Sequence, residues 1–171
     1  MLMLLWQSAR EKASQIGRFS PVDNSGLDAL AAIARRLGAT VYVTPLAQDV
    51  SGLILKHEHD DPEIFVNSEE PIERQRFTLA HEIGHLIERS EVACDRDFSF
   101  VDYRQKGRYD LHEFFADEFA GELLMPAEKF LNVHKIEGDY GAAVEFGVSV
   151  PAVRKRAKRL AKNPPEASVG I

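Results

Sequence analysis

The chain lacks several features that would each assign it to a specialised class. It has one cysteine, Cys94, which excludes an internal disulfide framework and predicts a reducing, cytoplasmic location. The apolar start at 1–6 is far shorter than a signal sequence or a spanning helix, so we expect no membrane association. The formal net charge of −6 argues against a protein that binds nucleic acid over its whole surface. What remains is a 171-residue chain that can bury one hydrophobic core.

The segment 81–85, with the sequence His-Glu-Ile-Gly-His, is the most informative motif of the chain. Helix-start residues before it and apolar residues around it predict a buried helix over 72–87. Residues four apart lie on one face of a helix, so His81 and His85 can bind the same metal ion. Glu82 lies beside them, where it can act on a water molecule. The alternative is a pair of hydrogen-bonded core histidines without a metal.

A catalytic zinc site needs a third protein ligand and an open fourth position. A third histidine in the same segment is excluded, because glutamate occupies both positions that such a pattern requires. A second predicted helix, over 111–125, offers Glu113 as the ligand. Asp117 follows one turn later, where it can accept the outer N–H of a ligand histidine. His112 is a rival ligand, and a solvated helix face is the alternative explanation for the two acids.

Small residues on the second helix predict that it lies close to the first. Ala116 and Gly121 belong to a narrow ridge that would allow contact at Gly84. Glycine inside a helix costs about 1 kcal/mol relative to alanine, so close packing is a reasonable cause for it. Two further acids of this helix, Glu118 and Glu122, fit a solvated face.

A family resemblance is carried by residues 76–85, 113, 116–117, 119–120 and 123–126. Together they resemble the ImmA/IrrE family of metallopeptidases, and the likeness extends from about residue 27 to residue 160. The resemblance implies a gluzincin-like site in which His81, His85 and Glu113 bind one Zn²⁺ and Glu82 is catalytic. It also implies a partner, a helix-turn-helix (XRE-type) repressor, whose cleavage relieves repression of phage, mobile-element or stress-response genes.

The order of predicted elements indicates an α+β fold, mainly helical and zincin-like. Residues 90–110 lack periodicity and are predicted to form a loop over the cleft. The three predicted strands suggest a small antiparallel sheet whose edge could align an extended peptide over the metal. The elements expected before the motif are helices over 1–16 and 26–37 and strands over 39–43, 51–57 and 63–67.

The C-terminal region resembles a helix-turn-helix, with small residues where that motif needs them. We expect a metallopeptidase domain over 1–135, this element over 136–162 packed on it, and a flexible tail over 163–171. An acidic chain makes DNA binding the less favoured role for the basic residues of the last helix. The residues that could contact nucleic acid or a partner protein are Arg154, Lys155, Arg156, Lys158 and Arg159.

The function predicted from these features is zinc-dependent endoproteolysis. Zinc would activate the attacking water, and Glu82 would accept its proton and pass it to the leaving amine. Tyr103, Tyr109 and His134 are candidate donors to the transition state. The alternative is a non-proteolytic antirepressor, or a DNA- or repressor-binding regulator, with a structural zinc site. The presence of Glu82 argues against this alternative, because a structural site has no use for a general base.

Overall fold

Helices dominate the structure, a computed structural model that describes residues 3–93, 97–103 and 110–165. The α+β class is confirmed, and the predicted helix over 72–87 has the expected ends. No helix in the described ranges is long and apolar enough to cross a membrane. The elements are α1 Leu5–Phe19, α2 Asp28–Arg36, β1 Thr40–Thr44, β2 Val50–Lys56, β3 Glu63–Asn67, α3 Ile72–Ile87 with a π-helical turn Glu88–Ala93, β4 Phe98–Tyr103, α4 Leu111–Leu124, α5 Ala127–Phe146 and α6 Val150–Lys162.

The sheet differs from the expected one in strand number and in strand direction. It has four strands in the order β1-β3-β2-β4. Strand β2 is antiparallel to β3 and to β4, whereas β1 is parallel to β3. The parallel pair arises because β3 lies between β1 and β2, so that β1 does not form a hairpin with the strand that follows it.

The fourth strand lies inside the region that was predicted to be a loop. Strand β4 pairs with β2 from Val50 to Lys56, with an irregularity near Val50. Phe98 is buried and Phe100 half-buried, whereas Ser99 and Val101 are exposed. This two-residue alternation is typical of an edge strand. The expectation of a loop over 90–110 is therefore wrong for Phe98–Tyr103.

Helix α3 lies at the centre of the fold. It packs against β2 and β3 on one side and against α4 on the other, and α4 in turn packs on α1. All residues from Thr78 to Ile87 are buried, which confirms the prediction of a buried helix. Each layer contributes fully buried side chains to the hydrophobic core, including Ile54, Ile64, Leu79, Ile83, Phe115, Phe119 and Phe130.

The predicted contact between α3 and α4 is present at Gly84. A Cβ atom at this position would lie 2.9 Å from Ala116 Cα and 3.2 Å from Ala116 O. Both are backbone atoms that cannot rotate away, so only glycine permits this helix separation. The approach places the second turn of α4 opposite the last turn of α3.

The two last helices are joined by a tight turn. Gly147 ends α5 with a left-handed conformation, φ 58°, and a Cβ there would lie 2.3 Å from Asn24 O. Ser149 then caps α6 by accepting a hydrogen bond from Ala152 N. A helix, a turn and a helix thus lie where the sequence predicts them. The likeness to a DNA-binding motif, the division at 135/136 and the flexible tail stay predictions.

The buried guanidinium of Arg76 connects α3 to this turn. It donates hydrogen bonds to the carbonyl oxygens of Asp23, Ser25, Gly26 and Gly147, at 2.6–3.0 Å. Burial lowers the pKa of Arg76, which Asp23 partly opposes. One side chain of the central helix therefore fixes both the entry to α2 and the end of α5.

We predict that Gly84→Ala destabilises the protein and that Gly17→Ala does not. The alanine at 84 would push against the α4 backbone, and such overpacking costs about 1–3 kcal/mol of unfolding free energy. At Gly17 the new Cβ would meet Leu123 Cδ1 at 3.9 Å, an ordinary contact, and alanine favours the helix by up to about 1 kcal/mol. Urea denaturation measures both. Equal stability of Gly84→Ala and the wild type would contradict the close α3–α4 contact.

Candidate metal centre

Helix α3 brings three ionisable side chains into the protein interior. His81 and His85 are each 1% exposed, and Glu82 is fully buried. Burying polar groups in this way is unfavourable unless partners compensate it. The central position of α3, between the sheet and α4, therefore indicates a site and not a solvated helix face.

Helix α4 supplies the acid that faces the two histidines. The Asp110 side chain caps this helix by accepting hydrogen bonds from His112 N at 2.9 Å and Glu113 N at 3.0 Å. This cap fixes the backbone of Glu113 in the first turn. The Glu113 carboxylate then lies 3.5 Å from His81 Nε2 and 3.2 Å from His85 Nε2.

The three side chains have the donor atoms and spacing of a metal site. One ligand atom from each of His81, His85 and Glu113 can be chosen so that all lie within 4.8 Å of one another. Ligand atoms about 2.0–2.1 Å from a tetrahedral zinc are about 3.3–3.4 Å apart, close to the observed separations. The buried His81 Nε2 faces the Glu113 carboxylate and has no other hydrogen-bond partner within the described residues. These residues fit a zinc ion.

Asp117 orients the first histidine from behind. Its Oδ1 lies 3.1 Å from His81 Nδ1, and its side chain is 1% exposed. A proton held on Nδ1 by this carboxylate leaves Nε2 free to face Glu113. This is the arrangement that metal-binding histidines usually have.

Phe100 of β4 orients the second histidine. The rings of His85 and Phe100 stack with centroids 4.3 Å apart and an interplanar angle of 4°. His85 Nδ1 is buried without a hydrogen bond in the described part of the chain, so this stacking and the contact of Nε2 with Glu113 hold the ring. The guanidinium of Arg89 lies 4.9 Å from the centroid of the Phe100 ring.

The charge states of the three side chains depend on one another. Burial lowers the pKa of His85 to about 4. Burial acts in the same direction on His81, but hydrogen bonds with Asp117 and Glu113 outweigh it and raise the pKa to about 10. Burial opposes ionisation of Glu113, yet its hydrogen bonds with both histidines hold its pKa well below the usual range. The charged form of Glu113 and the neutral form of His85 are therefore favoured, and these are the forms that bind a metal ion.

The general-base candidate lies against strand β2. A Cβ atom at Gly52 would lie 2.4 Å from Thr78 Cγ2 and 3.4 Å from Glu82 Oε1. Glycine thus lets the strand backbone approach the polar face of α3. Glu82 follows His81 in the chain, and its charge helps to raise the pKa of that histidine. That Glu82 reaches a metal-bound water stays a prediction.

The rival ligand His112 has a different partner. Its Nδ1 lies 3.1 Å from Glu88 Oε1, and its side chain is 35% exposed. Glu118 also lies elsewhere: its carboxylate is fully buried among arginines. The geometry therefore favours Glu113 as the third ligand, and the ligand and base roles of all four residues stay predictions.

His134 is the one candidate transition-state donor whose side chain the structure describes. Tyr109 lies outside the described residues, and Tyr103 ends β4 with a side chain that is also outside them. His134 lies on α5, where its ring stacks on Phe130 at 5.3 Å and its Nε2 lies 2.8 Å from Asp139 Oδ1. These contacts belong to the packing of α5, and the donor role stays a prediction for all three residues.

The basic residues of α6 form two groups. Arg154 and Lys158 are exposed, and Arg154 pairs with Asp139. The side chain of Arg156 is 1% exposed, so it is not available to DNA or to a partner, contrary to expectation. The inward group pairs with acids of α4 through these contacts: Lys155 Nζ to Asp117 Oδ2 at 2.5 Å, Arg159 Nη1 to Glu118 Oε1 at 2.8 Å, and Arg156 Nη2 to Glu122 Oε2.

Two contributions to the site were missed from the sequence. The stacking of Phe100 on His85 could have been inferred from the alternation at 98–101, had it been recognised as a strand. The inward-facing cations of α6 have a weaker signal. Lys155 and Arg159 are four residues apart and therefore share one face of α6, just as Asp117 and the partly solvated Glu113 share one face of α4.

A wide cleft elsewhere on the molecule is not part of this site. Its volume is about 1220 Å³, and it lies between α1 and the junction of α4 and α5. Trp6, Arg10 and Phe146 belong to its lining, whereas the metal-centre residues do not. The chemistry is therefore assigned to the buried cluster and not to the more spacious cavity.

A helix with two histidines one turn apart, and an acid facing them from a later helix, define a metallopeptidase-like metal centre. Residues 34–158 match the family model Peptidase M78, described as the IrrE N-terminal-like domain. The match covers most of the chain, so the protein belongs to this family, and the ImmA/IrrE resemblance is confirmed.

The comparison with solved structures supports the fold. A Mycobacterium tuberculosis transcriptional regulator is similar with a TM-score of 0.67 and 22% sequence identity. The alignment covers 96% of this chain and 49% of that chain, so this chain spans about half the length of that protein. At this identity the likeness shows the fold alone. No curated protein matches the chain.

We predict that Glu113→Ala loses zinc and that His112→Ala, its neighbour in the same helical turn, does not. Removing one of three ligands should weaken zinc affinity by more than about 100-fold. This exceeds the loss of affinity that typically follows removal of a hydrogen bond to a ligand side chain. The alanine at 112 removes the contacts with Glu88 and with the ring of Phe100, neither of which is a metal ligand in this account. Elemental analysis after dialysis measures zinc content. Zinc retention by Glu113→Ala together with zinc loss by His112→Ala would assign the ligand to His112.

Proposed function

We propose that this protein is a zinc-dependent endopeptidase that cleaves a helix-turn-helix repressor and thereby relieves repression. The observation that carries the proposal is the convergence of His81, His85 and Glu113 on one point, with Glu82 buried beside it. Membership of a peptidase family supports the same chemistry. A structural site would be completed by a fourth protein ligand, and none accompanies these three in the described ranges.

The residues divide the chemistry between them. His81, His85 and Glu113 would hold the zinc, which supplies a Lewis acid for the scissile carbonyl and lowers the pKa of water. Glu82 accepts a proton from the attacking water and transfers it to the leaving amine. Asp117 stabilises the orientation of His81 throughout. Because Glu82 is buried, bulk water has little access to it. This favours proton transfer from the attacking water to Glu82 and from Glu82 to the leaving amine.

Strand β4 provides a surface for an extended substrate. It is the outermost strand of the sheet on the side of β2. Its residue Phe100 contacts His85 directly, so a peptide added along the outer edge of β4 would pass beside the metal centre. Backbone hydrogen bonds to a strand edge hold an extended segment with little dependence on sequence. The scissile bond is therefore expected in an extended, solvent-accessible segment of the repressor.

The charge distribution supports a protein substrate over direct DNA binding. Three cations of α6 are already paired with acids of α4, and the chain carries a net charge of −6. These pairs reduce the number of α6 cations that can neutralise phosphates, on which DNA affinity largely depends. The single cysteine fits the reducing cytoplasm, where a repressor would be encountered. A helix-turn-helix protein encoded beside this chain is the first substrate to test.

We predict that Glu82→Gln abolishes repressor cleavage and keeps the zinc. Glutamine preserves the volume and polarity of the side chain but cannot accept the proton, so turnover should fall by at least about 100-fold. Co-expression with candidate repressors, followed by electrophoresis, measures cleavage, and elemental analysis measures zinc. Glu73→Gln is the matched control, because it removes a carboxylate from the first turn of the same helix.

The same experiment separates the two functional hypotheses. Cleavage by wild type and by Glu73→Gln, but not by Glu82→Gln, supports the peptidase. Equal cleavage by Glu82→Gln would remove the general-base role. If the wild type relieves repression while the repressor stays intact, the protein is a non-proteolytic antirepressor.

A further inference from the structure

The C-terminal helix contacts the metal centre through a buried carboxylate. Lys155 Nζ lies 2.5 Å from Asp117 Oδ2, and Arg159 Nη2 lies 3.3 Å from the same oxygen. The other oxygen, Oδ1, faces His81 Nδ1 at 3.1 Å. Two cations of α6 are therefore one side chain away from a candidate metal ligand.

We propose that Lys155 and Arg159 are positioning residues of the metal centre, which hold Asp117 in the orientation that fixes His81 for metal binding. This role rests on the metal centre of the proposed function. It also makes α6 a part of that centre, although α6 begins more than sixty residues after α3 ends.

The two oxygens of Asp117 have separate tasks. A carboxylate with a 1% exposed side chain cannot be solvated by bulk water, so its charge must be compensated by partners. The cations compensate it at Oδ2, and this leaves Oδ1 aligned with the imidazole. Without them the carboxylate would have to turn toward other donors or toward solvent, and the ring of His81 would lose its fixed orientation.

The orientation of His81 matters because its Nε2 must face Glu113. Hydrogen bonds to the outer nitrogen of a metal-binding histidine set its tautomer and ring orientation, and losing one typically costs about 10–100-fold in metal affinity. The cations act one step further out, but on a buried carboxylate that is fixed at both oxygens. We therefore expect their removal to reach the lower end of this range.

Anchoring of α6 is a separate task that other contacts perform. Arg156 is buried and binds Glu122 and the carbonyl oxygen of Met125. Lys155 differs from it, because its side chain is 42% exposed and its contact is with Asp117. Packing of α6 alone does not require a cation at position 155. Substitution of Lys155 therefore tests the positioning of Asp117 without removing the contacts that anchor the helix.

The test is the zinc affinity of purified variants, measured by competition with a chromogenic chelator, together with the absorption spectrum of the cobalt-substituted protein. Lys155→Met keeps the aliphatic stem and removes the charge. Lys155→Gln is a second charge-removing variant in case the first is poorly folded. Lys155→Arg restores the charge, and Lys158→Met changes an exposed lysine of the same helix as a control.

We expect Lys155→Met and Lys155→Gln to bind zinc about 10-fold more weakly, with altered cobalt bands. Lys155→Arg and Lys158→Met should resemble the wild type. If Lys155 acts through Asp117, the double variant Lys155→Met/Asp117→Asn should bind zinc no more weakly than Asp117→Asn alone. Wild-type affinity in both charge-removing variants, or additive losses in the double variant, would overturn the proposal. These affinities need no substrate, so absence of repressor cleavage would count against the proposed function alone.

Discussion

The metal centre depends on the close approach of α3 and α4 at Gly84. The backbone of Ala116 lies where a side chain at position 84 would begin, so the two helices are as near as their main chains permit. This contact sets Glu113 opposite both histidines and sets Asp117, one turn later, behind His81. Gly52 permits a similar approach of β2 on the other side of α3. The ligand geometry is thus a consequence of backbone packing between regular elements, which hold side chains more accurately than loops do.

A buried charge network surrounds this contact. Acids of α4 that could have formed a solvated face are buried, and they pair with cations from α6 and with Arg10 of α1. The cost of desolvating such pairs offsets much of their attraction, so they add little net stability. If the helices were arranged differently, each partner would be a buried charge without compensation. The free-energy cost of such a charge restricts the helices to one relative arrangement. The C-terminal helix therefore shares its electrostatics with the metal centre, although the sequence suggested an element packed on a separate domain.

The sequence predicts those parts of the structure that depend on local patterns. Helix α3 and the pairing of His81 with His85 follow from helical periodicity, and Glu113 with Asp117 follow from the same four-residue spacing. Strand β4 was missed because its alternation is short and lies between polar segments, and because strand pairing depends on distant residues. The parallel pairing of β1 with β3 has the same cause. The inward orientation of Lys155 has only a weak signal in the sequence, because its partner Asp117 lies 38 positions away on another helix.

The central claim is that two histidines of α3 and the first-turn acid of α4 hold one zinc ion. The most direct measurement is X-ray diffraction from zinc-loaded crystals, with data collected on both sides of the zinc absorption edge. We predict one anomalous peak per chain, about 2.0–2.2 Å from His81 Nε2, His85 Nε2 and a carboxylate oxygen of Glu113. An anomalous peak at His112 in place of Glu113, or at a site that excludes His81 and His85, would contradict it.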